Sequence, residues 1–142
     1  MTKRVLVVED NELNLKLFCD LLRAHGFETE PVRDGRDAYG KARAFQPDLI
    51  ITDIQLPHVT GLELIGELRA DVELASVPIM AVTAYAGLGD EGRIRAAGAN
   101  AYVSKPISVM RFMDVVNGLI AVGPVSADSA VVPPEAPSAV AQ

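Results

Sequence analysis

Apolar positions along the chain fall into two alternating rhythms. Short, mostly apolar runs at residues 4–9, 49–53, 77–83 and 101–104 lead into polar groups, and the stretches between them repeat apolar residues at three- and four-residue spacing. A continuous apolar run bounded by turn signals reads as a strand buried on both faces of a parallel sheet. Residues 27–33 alternate instead, and Pro31 cannot donate to a ladder, so this strand is expected at a sheet edge. Helices are expected between the strands. Asn11 is placed to cap the first, with Leu13, Leu17 and Leu21 beside Phe18 and Leu22 as its apolar face and Gly26 as its end. The Asp34-Gly35 turn introduces a helix through Ala38, Ala42 and Phe45, and Gly61 precedes one carrying Leu62, Leu64, Ile65 and Leu68. In residues 87–98, Gly87, Gly89 and Gly92 each weaken helix formation by up to about 1 kcal/mol relative to Ala. Ser108 can cap a last helix whose expected buried stripe is Val109, Phe112, Val116, Leu119 and Ile120.

Strands and helices alternating with short connections predict βαβ units. Five such units with the first strand central give an α/β, flavodoxin-like (βα)5 doubly wound parallel sheet of strand order 2-1-3-4-5. Ligands in such sheets bind beyond the carboxyl ends of the strands, where the winding direction switches between strands one and three. That crevice would bring Glu9 and Asp10 beside Asp53. Clustered carboxylates repel one another unless a cation sits among them, and hard oxygen ligands with room for water suit Mg²⁺. A bound Mg²⁺ would shield an incoming phosphoryl group, so that Asp53 can act as nucleophile. Lys105, arriving from the fifth strand, is a point charge suited to a phosphoryl oxygen, and Thr83 can donate a hydroxyl to another. A phosphoryl group adds about −1.5 to −2 charges and strong acceptors, enough to draw Thr83 inward and leave space for the ring of Tyr102.

Composition narrows the setting. Beyond Ala121 the chain turns to Ala, Val, Pro and Ser, so residues 1–121 are expected to form one domain and 122–142 a disordered tail. The formal net charge of −6 argues against a nucleic-acid partner. The tail carries Asp128 and Glu135 and no base, so the acidic excess belongs mainly to the domain. With no signal-peptide pattern, no apolar stretch of spanning length and one cysteine, Cys19, a cytoplasmic protein with no membrane attachment is expected. Cys19 and the Leu13 to Leu22 stripe read as core, and His25 and His58 as solvated surface.

The motifs Val5-Leu6-Val7-Val8-Glu9-Asp10-Asn11, Asp53-Ile54-Gln55-Leu56-Pro57, Thr83-Ala84 and Ser104-Lys105-Pro106 resemble the receiver domain of two-component response regulators over roughly residues 3–121. The resemblance implies that a histidine kinase or phosphotransfer protein supplies a phosphoryl group to Asp53. It matches Glu9 and Asp10 to the acidic pair, Thr83 and Tyr102 to the switch pair, and Lys105 to the phosphate-binding lysine. It also implies a cis Lys105-Pro106 peptide and a Gln55 backbone carbonyl as the third protein ligand of Mg²⁺. Within the family, Glu9-Asp10-Asn11-Glu12-Leu13-Asn14, Asp53-Ile54-Gln55-Leu56-Pro57 and Tyr102-Val103-Ser104-Lys105-Pro106-Ile107-Ser108 look like those of stand-alone regulators of cell division. Output through a downstream protein target, as a monomer or weak dimer, is expected.

Taken singly, each of these residues has a plainer reading. Asp53 could satisfy a turn, Glu9 and Asp10 could favour the positive end of the following helix, and Tyr102 could be half-buried packing. Joined, they point to a signalling phosphoacceptor rather than an enzyme. A phosphohydrolase with an Asp nucleophile is the enzymatic alternative, but the general-acid position two residues after the nucleophile is Gln55. The other alternative is a phosphate-independent adaptor of the same fold. Residues 87–92 spell G-x-G-x-x-G after a strand, yet it is the fourth strand, and Asp90 and Glu91 would repel a pyrophosphate.

Overall fold

The computed structural model describes residues 2–84 and 90–122. Five strands, β1 (Arg4–Val8), β2 (Glu28–Val32), β3 (Leu49–Asp53), β4 (Ile79–Thr83) and β5 (Ala101–Ser104), alternate with five helices among the described residues. These are α1 (Glu12–Ala24), α2 (Gly35–Phe45), α3 (Gly61–Ala70), α4 (Asp90–Ala97) and α5 (Val109–Val122). The strands pair in parallel in the order β2-β1-β3-β4-β5. This is the expected doubly wound sheet, with β2 at the edge and Pro31 opposite Val7.

Because side chains alternate across a strand, the sheet feeds two cores. On one face Val5, Val7, Leu49, Ile51, Met80, Val82 and Val103 pack against α1 and α5, where the rings of Phe18 and Phe112 stack with centroids 5.0 Å apart. On the other, Leu6, Val8, Ile50, Ile79 and Ala81 pack against Ala38 and Ala42 of α2, Leu64, Ile65 and Leu68 of α3 and Ile94 of α4. Caps fix where the helices begin. The Asn11 side chain accepts from Asn14 N (3.0 Å), Asp34 accepts from Arg36 N (2.8 Å), and Thr60 and Glu63 form a reciprocal capping box.

Two expected stripes are corrected. In α1 the buried residues are Leu15, Phe18, Cys19 and Leu22, an i, i+3, i+4, i+7 set. Leu13 and Leu17 lie two residues either side of Leu15, about 200° around the helix, and are 79% and 40% exposed. In α5 the buried residues are Phe112, Met113 and Val116, Leu119 and Ile120 are half-buried, and Val109 is 46% exposed. Val109 opens the helix, and its side chain tilts back toward the N-terminus, away from the packed turns. The helix expected over residues 87–98 is observed as α4, with Gly92 inside it. Gly87 and Gly89 lie outside the described residues, as do residues 123–142. No described helix is long and apolar enough to cross a membrane.

Arg69, which the apolar periodicity of α3 does not single out, braces the end of the sheet opposite the strand-end carboxylates. Its guanidinium donates to the carbonyls of Gly98 (3.0 Å), Ala75 (3.0 Å) and Val77 (2.7 Å) and to Asn100 Oδ1 (2.8 Å). Asn100 Oδ1 also accepts from Ile79 N at 2.8 Å. The entries into β4 and β5 are thereby tied to α3. Burial pulls the guanidinium below its usual range.

Candidate functional site

β1 and β3 end side by side, with Val8 opposite Thr52, so the next residue of each strand projects into one crevice. Glu9, Asp10 and Asp53 meet there, each offering a carboxylate oxygen within 4.8 Å of the others. Glu9 and Asp53 are buried, and Asp10 is exposed. The fifth strand delivers Lys105 through a cis Lys105-Pro106 peptide. Its Nζ lies 2.7 Å from Asp53 Oδ2 and 3.3 Å from Glu9 Oε1. The other Asp53 oxygen, Oδ1, accepts the Gln55 backbone N–H at 2.9 Å.

The electrostatics of this cluster are unbalanced. Burial, followed by the charge of Asp53, pushes the Glu9 carboxyl up to about 7. Its Oε2 accepts from Asn11 N at 3.1 Å, but Oε1 takes no hydrogen bond despite its nearness to Lys105. Burial alone would lower Lys105, yet its hydrogen bond to Asp53 and the charges of Asp53 and Glu9 outweigh this and hold it above the usual lysine range. A single ammonium thus pairs with two of the three clustered carboxylates. A buried carboxylate oxygen without a donor, beside two further hard oxygens, is a donor set that fits a small hard cation.

The remaining expected residues are placed differently. Thr83 is buried at the end of β4, on the strand beside β3. Its hydroxyl accepts from Gln55 Nε2 at 3.3 Å, and Gln55 Oε1 accepts from Ala84 N at 3.2 Å. Tyr102, on β5 opposite Ala81, is half-buried and does not join the carboxylates. Its hydroxyl lies 3.3 Å from Glu91 Oε1, and burial together with the Glu91 charge holds the phenol above its usual range. His25 and His58 are exposed, as expected.

Gly61 shapes the site from behind. A Cβ there would stand 2.2 Å from the Asp53 carbonyl oxygen and 2.6 Å from Ile54 Cα. The Gly61 N–H donates to the Ile54 carbonyl at 2.9 Å. Only glycine lets the first turn of α3 press against the chain as it leaves Asp53. Periodicity marks Gly61 as a helix start, but its contact with Asp53 needs the fold.

Residues 5–117 match the family model described as the response regulator receiver domain. The chain is 54% identical over 120 residues to the polar-differentiation response regulator DivK of Brucella ovis and to that of Brucella melitensis, matching 84% of this chain and 98% of theirs. The fold is similar to the chemotaxis response regulator CheY4 of Vibrio cholerae, with TM-score 0.80 and 26% identity over 84% of this chain and 99% of that one. It is also similar to the receiver domain of the sensor histidine kinase PA1611 of Pseudomonas aeruginosa, described with a magnesium ion coordinated in its active-site cleft. There the TM-score is 0.79 and the identity 32%, over 85% of this chain and 99% of that one. A parallel sheet wound in this order, a strand-end aspartate held between a lysine and two acids, and a family match across nearly all of the described domain agree: the chain belongs to the response regulator receiver domain family and accepts a phosphoryl group on an aspartate.

Proposed function

We propose that Asp53 is the phosphoacceptor and that a histidine kinase or histidine phosphotransfer protein is the donor. The observation that carries this reading is the buried Asp53 carboxylate at the end of β3, 2.7 Å from Lys105 Nζ and clustered with Glu9 and Asp10. In the transfer, an Asp53 carboxylate oxygen forms a bond to phosphorus as the bond from phosphorus to the donor's nitrogen breaks, and the electron pair leaves with the donor. Lys105 is positioned to neutralise a phosphoryl oxygen. Glu9, Asp10, Asp53 and the Gln55 backbone carbonyl would hold Mg²⁺, which when bound supplies charge shielding for the phosphoryl group.

The output is protein contact controlled by phosphorylation, with Thr83 and Tyr102 as the moving pair, and no catalytic turnover of a substrate. The position two residues after Asp53 supports this, because Gln55 offers an amide where a hydrolase would need an acid. The relatives' description as polar-differentiation regulators favours a role in cell polarity and division. Borohydride trapping tests the acceptor. An acyl phosphate on Asp53 is reduced to homoserine at position 53 and read by peptide mass mapping, whereas homoserine at another aspartate, or none, removes the assignment.

Glu9 gives the site a pH signature. Its carboxyl binds a proton more tightly when folded, at about 7, than its ordinary value of 4.5 allows when unfolded. The stability this proton contributes is fully present below about pH 4.5 and is lost as pH rises through about 7. Mg²⁺ competes with that proton, so the rise in melting temperature caused by Mg²⁺ is expected to be small at pH 5.5 and several degrees larger at pH 8. Differential scanning fluorimetry of wild type against Glu9→Gln checks this, with the variant expected to lose most of the pH dependence. An equal Mg²⁺ response at both pH values in wild type would contradict the account of Glu9.

A further inference from the structure

We propose that the Gln55 side chain is a latch that holds the β4 end in its unphosphorylated arrangement, so that breaking it is part of switching. This rests on Asp53 being the phosphoacceptor. The amide reaches from the segment after β3 to the end of β4. Its Nε2 donates to Thr83 Oγ1 at 3.3 Å while its Oε1 accepts from Ala84 N at 3.2 Å. The orientation of the amide is settled by Ala84, because a backbone N–H only donates and the atom facing it must be oxygen.

Two polar groups at the end of β4, the Thr83 hydroxyl and the Ala84 N–H just beyond it, are thus held by the residue two positions after Asp53. Three acceptor oxygens placed on Asp53 would create a strong demand for donors at this end of the sheet. Lys105 and the Gln55 backbone N–H already face the Asp53 carboxylate. The neighbouring strand β4 ends beside Asp53, with Val82 opposite it, and carries the Thr83 hydroxyl and the Ala84 N–H just beyond. For the Ala84 N–H to turn to the phosphoryl group, it must leave Gln55 Oε1.

The lengths of the two bonds suit a releasable device. Both are neutral, and both exceed the 2.9–3.0 Å typical of N–H···O bonds. Gln55 and Ala84 are exposed, so water can replace the bond between them at little cost, and the bond to the buried Thr83 hydroxyl is the longer of the two. Charge-assisted bonds to a phosphoryl group are about twice as strong as neutral ones, so phosphorylation outcompetes the amide. A thermal fluctuation alone breaks both bonds less often, so the latched arrangement predominates in the unphosphorylated chain. The latch reduces the fraction of chains competent for the switched state, and apparent affinity for a phosphoryl mimic falls by that fraction.

The test uses beryllium trifluoride with Mg²⁺, which bonds to a carboxylate oxygen in place of a phosphoryl group. Gln55→Leu and Gln55→Met remove both latch bonds at an exposed position and leave the backbone carbonyl in place. Each is expected to bind the mimic about three- to fivefold more tightly than wild type, the scale of two weak hydrogen bonds. Without any mimic, the Ala84 amide resonance of each variant is expected to shift along the line from free to mimic-bound wild type. That displacement reports a change in population, which a merely steric effect on ligand entry would not produce. Unchanged affinity with an unmoved Ala84 resonance would overturn the latch, and mimic binding by wild type would still leave Asp53 as acceptor. Failure of wild type to bind the mimic would overturn both.

Discussion

Gly61→Ala is expected to destabilise the domain by about 3 kcal/mol, lowering the melting temperature by about 10 °C. The added methyl group would stand 2.2 Å from the Asp53 carbonyl oxygen and 2.6 Å from Ile54 Cα. Both obstacles are backbone, in the segment between a fully buried strand and the capping box of α3, so neither can swing aside as a side-chain tip would. Relief requires α3 to slide away from the sheet, which opens the core at Leu64, Ile65 and Leu68. Gly66→Ala, in the same helix, is the control. Nothing lies within 4 Å of its added Cβ, and alanine is the better helix former by up to about 1 kcal/mol, so this variant is expected to gain stability. Thermal denaturation of the pair gives the comparison. Equal behaviour would mean that the close approach of α3 to Asp53 is not a constraint on the fold.

Lys105→Ala is expected to slow phosphoryl uptake from a small donor by about 100-fold at saturating Mg²⁺, the scale of losing one preorganised charge from a transfer site. The ammonium lies 2.7 Å from Asp53 Oδ2, and the charges around it keep it protonated despite partial burial. A phosphoryl oxygen on Asp53 would inherit that contact. Cation binding should respond in the opposite direction. Removing the lysine leaves Glu9, Asp10 and Asp53 with no positive neighbour among the described residues at the site, so Mg²⁺ affinity measured by calorimetry is expected to hold or tighten. Slower uptake with undiminished Mg²⁺ binding separates the lysine's role from that of the acids. Loss of both together would mean that Lys105 holds the carboxylates in place instead.

Much of this was legible in one dimension because parallel-sheet proteins write their function at strand ends. The runs before Glu9, Asp53, Thr83 and Lys105 are apolar enough to be read as strands, and the winding rule then decides which ends are neighbours. Helix faces were less legible where apolar residues are in excess. Leucines at 13, 15, 17, 21 and 22 permit two stripes, and only packing against Phe112 and the sheet selects the one containing Leu15, Phe18 and Leu22. Contacts made by polar side chains over long separations left no periodic trace. Arg69 meets Asn100 across 31 positions, and the Gln55 amide reaches Thr83 across 28. Tyr102 shows the same limit, since its strand position was foreseeable and its bond to Glu91 depends on how α4 lies against β5.

The most direct test of the central claim is intact-mass spectrometry after incubation with a small phosphodonor and Mg²⁺, comparing wild type with Asp53→Ala. The account predicts one added phosphoryl group on wild type, abolished by a chelator and absent from the variant. An equal adduct on Asp53→Ala, or none on wild type with either the small donor or a phosphorylated histidine kinase, would contradict it.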